Sequence, residues 1–283
     1  MPGVLRVSSR NARFQQWESL LSNRGKRQRT REFVVQGVRP ITLAAEFGWR
    51  FRALLYDAER PLSGWARAML RDVPAVQVAM SPGLLAELGE KAADGPELVA
   101  VVEMPDDDLD RIAAGPRFLG LVLDRPASPG NIGSIIRSAD AFGADGIIVA
   151  GHAADVYDPK TVRASTGSLF ARPVVRCPSH REVAAWVAAQ RARGCPMVLA
   201  GTDEHGEQDV FDADFTQPTL LLVGTEATGL SSAWRELCDH TVRIPMTGAA
   251  SSLNAANAAT AVLYEVARQR LLASRRPGIS AIT

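Results

Sequence analysis

Two α/β domains are predicted, a small one followed by a larger one built on a mostly parallel sheet, and three observations carry that reading. A chain of 283 residues has room for about two compact domains at roughly 100–200 residues each. Its composition, 46% hydrophobic and 22% charged, is that of an ordinary globular protein and excludes disorder, collagen-like repeats and disulfide scaffolds. Short apolar runs alternate with helical stretches along the whole chain.

In order, residues 12–23 read as a short amphipathic helix, residues 33–37 as a strand entering a glycine turn, and a second helix begins near Pro40. Apolar runs at 53–56, 75–79 and 98–102, separated by helices around 61–71 and 82–92, complete a small domain over 1–108. The acidic Pro105-Asp106-Asp107-Asp108-Leu109-Asp110 and then Ala113-Ala114-Gly115-Pro116 read as a linker. From 117 to 283, strands at 118–123, 146–150, 173–176, 197–200, 219–223 and 241–244 alternate with helices at 131–142, 180–193, 231–237 and 253–273. Such alternation predicts a largely parallel sheet covered on both faces, with ligands beyond the carboxyl ends of its strands.

Charge is unevenly spread. Residues 1–39 carry nine basic residues against Glu18 and Glu32, a net +7, so the remainder is −6 within a total of +1. The stretch Asn23-Arg24-Gly25-Lys26-Arg27-Gln28-Arg29 reads as a turn with four cations in seven residues. Guanidinium forks suit phosphates, which favours nucleic acid as partner, while the plainer alternative is a solvated arginine-rich helix face. Cys177, Cys195 and Cys238 are widely spaced, with no C-x-x-C and no histidine at zinc-ligand spacing, so no metal is expected. Free thiols, a start without a signal peptide's apolar stretch, and no membrane-spanning run point to the cytoplasm.

Three loops at strand ends hold more glycine and polar residues than a connection needs. The first runs from Asp124 through Ser128-Pro129-Gly130-Asn131-Ile132-Gly133 to Arg137, and Asn131 reads there as a helix cap. The second, Gly224-Thr225-Glu226-Ala227-Thr228-Gly229-Leu230, follows an apolar strand but matches neither the dinucleotide fingerprint nor the P-loop. The third runs from Ile244-Pro245-Met246 to Ser252-Leu253-Asn254, with Ser252 reading as an N-cap and Asn254 as a first-turn residue.

In this order and spacing the loops, with the intervening Ala164-Ser165-Thr166-Gly167, resemble the SpoU (TrmH-like) branch of the SPOUT methyltransferases across the second domain. The first domain, through Ser9-Arg10-Asn11 and the strand at 33–37, resembles the family's substrate-binding module. Along its full length the chain is similar to the family's actinobacterial antibiotic-resistance ribose methyltransferases of large-subunit ribosomal RNA. Four positions depart from the common pattern: Ser128, Thr225, Ala256 and Asn257. They bear on substrate details and on the support of Arg137.

The resemblance implies a C-terminal trefoil knot, S-adenosylmethionine as methyl donor, a ribose 2′-hydroxyl of RNA as acceptor, and a homodimer. It assigns catalysis to Arg137, Asn131, Glu226, Ser252 and Asn254, and the donor to Thr202, Val223, Gly224, Ile244, Met246 and Leu253. RNA contacts are expected at Arg10, Asn11, Arg13, Arg24, Lys26, Arg27 and Arg29. Asn131 and Glu226 are expected to orient Arg137 and the ribose, Ser252 and Asn254 to hydrogen-bond the hydroxyl or the donor carboxylate, and Leu263, Val266 and Leu271 to form either a dimer face or core. Transfer RNA is the nearest alternative substrate. A nucleotide-dependent enzyme and a non-catalytic RNA-binding or ribosome-assembly protein are the alternatives from other classes.

Overall fold

A computed structural model describes residues 5–89, 95–249 and 252–275. The chain runs β1 (Leu5–Val7), α1 (Ala12–Ser22), α2 (Arg24–Thr30), β2 (Glu32–Gln36), α3 (Val38–Glu46), β3 (Phe51–Asp57), α4 (Gly64–Asp72), β4 (Val76–Met80), α5 (Pro82–Gly89) and β5 (Leu98–Glu103). After a single 3₁₀ turn at Leu109–Arg111 come β6 (Leu119–Asp124), α6 (Pro129–Ala141), β7 (Gly146–Ala150), α7 (Pro159–Ser165), α8 (Ser168–Ala171) and β8 (Val174–Arg176). The last elements are α9 (His180–Ala192), β9 (Val198–Thr202), β10 (Gln208–Asp209), β11 (Thr219–Val223), α10 (Ser232–Arg235), β12 (His240–Arg243) and α11 (Ala255–Arg275). Residues 90–92 of the helix expected to end at 92, and 276–283 of the second domain, lie outside the described residues.

Two compact units result. The first takes the chain up to Asp106 together with Asp155–Ala171, and the second takes Asp107–Ala154 and the chain from Arg172 onward. The sequence reading places 155–171 in the second domain; in the fold it packs within the first unit, for two physical reasons. Asp155 is a buried carboxylate and finds its cation there, with Arg27 Nη2 at 2.7 Å. Phe33 also lies 4.8 Å from Tyr157 and 6.2 Å from Phe170 between ring centroids, and Trp49 donates its indole N–H to the Phe170 carbonyl at 3.0 Å.

The first unit's five-stranded sheet has the order β1-β4-β3-β5-β2, with β1, β4 and β3 parallel and β5 antiparallel to both its neighbours. Phe14, Trp17 and Leu20, at helical spacing on α1, bury against Val34, Leu55, Val78 and Val101 of that sheet. The run expected to be a turn at 23–29 is helical: the Asn23 side chain accepts from the Lys26 N–H at 2.9 Å and so starts α2.

The second unit's seven-stranded sheet has the order β10-β12-β9-β11-β6-β7-β8, parallel throughout. Its strands β6, β7 and β11 are buried at every position, as a sheet covered on both faces requires. Trp186 of α9 and Trp234 of α10 pack with Val122, Ile148, Leu199 and Leu220. Leu263 and Val266 of α11 are fully buried core, whereas Leu271 is exposed.

Candidate functional site

Strands β12, β9 and β11 are neighbours, and the segments beyond their carboxyl ends enclose a cavity of about 390 Å³. All six positions assigned to the donor, Thr202, Val223, Gly224, Ile244, Met246 and Leu253, line it. Glu226 and Ser252 line it as well. Val223 and Val242 give a buried apolar floor, while Met246 and Leu253 stand 39% and 38% exposed at the mouth, apolar surface placed where a ligand would cover it. Thr202 sits at the edge, its hydroxyl donating to the Leu222 carbonyl at 3.0 Å.

Gly224 leaves β11 where no side chain fits: a Cβ there would lie 2.1 Å from the Gly229 carbonyl carbon. This closeness lets the turn fold back on itself, with Thr225 and Gly229 exchanging backbone hydrogen bonds of 3.0 Å in each direction. A second hollow of about 250 Å³ shares the wall from Val223 to Ala227 and is otherwise lined by Leu123, Pro126, Ser128, Asn131 and Ile135.

Glu226 is the polar centre of this wall. Its Oε1 accepts from Asn131 Nδ2 at 2.8 Å, Asn254 Nδ2 at 2.5 Å and the Ala255 N–H at 3.2 Å. The three loops therefore converge on one oxygen. The helix caps differ from the sequence reading, and each arrangement leaves an asparagine Nδ2 for Glu226. Ser128, not Asn131, caps α6, accepting from the Asn131 N–H at 3.4 Å with Pro129 in the first turn. Asn254, not Ser252, opens α11, its Oδ1 accepting from the Ala256 N–H at 2.9 Å.

Arg137 stands apart from this cluster. It is exposed on α6, and among the described residues no hydrogen bond or ion pair joins it to Asn131, Glu226 or Asn254. The expectation that Asn131 and Glu226 orient it is corrected by helix geometry: six residues on is about 240° around the axis, not the same side.

On the basic segment, Arg13, Arg24 and Arg29 are exposed and Lys26 is half-buried. Arg10 is exposed but already paired with Glu18 at 3.0 Å and Glu87 at 2.7 Å. Asn11 caps α1, accepting from the Phe14 N–H. Arg27 is a correction: at 1% exposure, ion-paired to Asp155 and donating to the Leu20 carbonyl at 2.7 Å, it is a structural cation and not an RNA contact.

The pocket also contains residues that the motifs did not mark, chiefly Asp203, Glu204 and Arg235. Their one legible signal is place, since Asp203 directly follows the last residue of β9. No helix among the described residues is long and apolar enough to cross a membrane. No group of three metal-type side chains occurs among them either.

Residues 11–100 match the SpoU L30e-like domain, and residues 119–264, more than half of the chain, match the SpoU rRNA Methylase family. The chain belongs to the SpoU rRNA methylase family. Among SpoU relatives, the 23S rRNA (uridine(2479)-2′-O)-methyltransferase of Streptomyces viridochromogenes is 68% identical over 270 residues, 95% of this chain and 94% of that one. The crystal structure of the SpoU methyltransferase AviRb from the same organism, in complex with AdoMet, aligns at a TM-score of 0.89 and 69% identity, over 93% of this chain and 99% of that one. An rRNA methyltransferase from Sinorhizobium meliloti aligns at 0.82 and 29% identity, over 94% and 98% of the two chains. The chain thus has the two-part SpoU architecture, a substrate-binding domain followed by the methylase domain on its parallel sheet.

Proposed function

We propose that this chain is an S-adenosylmethionine-dependent ribose 2′-O-methyltransferase of 23S ribosomal RNA, acting on a uridine in the cytoplasm. The observation that carries the reading is the cavity at the strand ends, lined by all six donor positions, in a chain 68% identical to a 23S rRNA uridine 2′-O-methyltransferase. An apolar floor with glycine backbone suits a flat adenine and a sulfonium; the absence of a phosphate-binding motif disfavours a nucleotide triphosphate. Protection against an antibiotic that binds the large subunit is the biological role consistent with this substrate. A trefoil knot at the C-terminal strands and a homodimer belong to the same reading, and the exposed Tyr264, Leu271 and Leu272 of α11 suit a dimer face.

When bound, S-adenosylmethionine supplies a methyl group on a positively charged sulfur. The chain's own residues hold donor and acceptor in line and manage the hydroxyl proton. Ser252 and Leu253 close the donor side, and the hollow lined by Asn131 and Ile135 takes the acceptor ribose. Glu226 Oε1 is occupied by its three donors, which leaves Oε2 to accept from a ribose hydroxyl. Guanidinium stays protonated in proteins, so Arg137 is not the base: exposed on α6 and apart from the Glu226 cluster, it fixes the target phosphate.

Purified protein with labelled S-adenosylmethionine is presented separately with protein-free large-subunit RNA and with bulk transfer RNA, and products are mapped by resistance to alkaline cleavage. Label at one alkali-resistant ribose of ribosomal RNA is expected. Label in transfer RNA alone keeps the chemistry and overturns the substrate; label in neither points to an assembled subunit or to a binding protein. Arg137→Ala is expected to lose more than nine-tenths of the rate, over ~1.4 kcal/mol, with donor affinity intact.

A further inference from the structure

The rim of the donor pocket carries charge that the catalytic reading leaves unused. Arg235 Nη2 lies 3.0 Å from Asp203 Oδ2, with the Asp203 side chain 13% exposed and that of Arg235 53% exposed. Asp203 Oδ1 accepts from the His205 N–H at 2.9 Å. Each carboxylate oxygen therefore has one protein partner and keeps a lone-pair direction for another donor. Arg235 also approaches the glycine turn, since a Cβ on Gly229 would lie 3.7 Å from its Nη2.

Sheet order says which end of the donor this pair meets. From β11, the strand β9 with Asp203 lies on one side and β6, which leads into Asn131, on the other. Asn131 lines only the second hollow, and Asp203 and Arg235 line only the first cavity. A methyl group facing the Asn131–Glu226 wall leaves the nucleoside end towards β9. There, Asp203 and the neighbouring Glu204 put two carboxylates against one guanidinium, a balance that repels the donor's own carboxylate but suits neutral hydroxyl donors.

We infer that Asp203, held in place by Arg235, accepts hydrogen bonds from the ribose hydroxyl pair of the donor's nucleoside. This rests on the assignment of the cavity to S-adenosylmethionine. Two adjacent O–H groups match a carboxylate with one open direction on each oxygen, and a carboxylate beyond the end of a neighbouring parallel strand meets ribose in the same way in dinucleotide-binding folds.

The test is equilibrium binding by the full chain of three ligands: S-adenosylhomocysteine, 5′-methylthioadenosine, and the 2′,3′-dideoxy form of 5′-methylthioadenosine. Wild type is expected to prefer the ribo form over the dideoxy form by at least about tenfold. Asp203→Asn is expected to reduce that preference to about twofold or less and Arg235→Gln to narrow it, both with unchanged melting temperature. Equal wild-type affinity for ribo and dideoxy forms overturns the inference without reference to any variant. So does a preference that survives Asp203→Asn. Weakened binding of S-adenosylhomocysteine alone would move the pair to the amino-acid end and also overturn it. Binding of none of the three by wild type would overturn the cavity assignment itself, and the inference with it.

Discussion

Arg27 and Arg29 stand two positions apart in one seven-residue helix, the first 1% exposed against Asp155 and the second on the surface. Truncating Arg27 leaves a buried carboxylate without its cation, so Arg27→Ala is expected to cost ~3–5 kcal/mol in a denaturant titration. Arg29→Ala stays within about 0.5 kcal/mol in the same assay and instead weakens RNA binding. A cation run shows that phosphate could be bound but not which members face it, because burial depends on a carboxylate 128 positions away. Cys238 carries a different prediction. Burial, aided by Asp239 and Glu207, pushes its thiol from the ordinary 9.0 up to about 11. The folded chain then holds this proton more tightly than the unfolded chain. Its contribution is complete below about pH 9 and is lost as pH rises towards 11. Urea midpoints at pH 8 and 10.5 are expected to fall less in Cys238→Ala than in wild type.

At the scale of elements, the turn after β11 depends on a position without a side chain. Gly224→Ala drives a methyl group into the Gly229 backbone and breaks the Thr225–Gly229 exchange. It is expected to lower affinity for S-adenosylhomocysteine by more than about tenfold, read by calorimetry, with the circular dichroism spectrum unchanged. The strands around this turn were legible because apolar runs bounded by turn residues admit few other readings. β1 and β10, of three and two residues, were not, since only pairing with β4 and β12 makes them strands. Helix α7 carries a start signal in the sequence, Asp158 as cap before Pro159. The caps of α6 and α11 were misplaced within their loops because several residues in each can cap, and tertiary partners decide. That the six positions assigned to the donor line one cavity was legible through the order of three loops. Asp203 and Arg235 were not, because a lone acid after a strand and a lone arginine in a short helix form no pattern.

At the scale of the molecule, the acids, prolines and glycine of 105–116 read as a linker, yet Ile112 is buried in the second unit's core with Leu109 and Ala114 packed against it; the return of 155–171 to the first unit had no sequence signal. Its buried Val156, Tyr157, Val162, Leu169 and Phe170 are the same residue types that any second-domain core would use. The excursion makes the chain pass between units three times, after Asp106, Ala154 and Ala171. A protease cut between Asp107 and Pro116 is therefore expected to leave a complex that elutes as one species and parts only in denaturant. A fragment beginning at 117 would carry Tyr157 and Phe170 with neither Phe33 nor Trp49 to cover them. The inserted segment thus works as a plug whose socket is the stretch that holds Phe33 and Trp49, and any separate expression of the two parts would have to supply both halves of the joint.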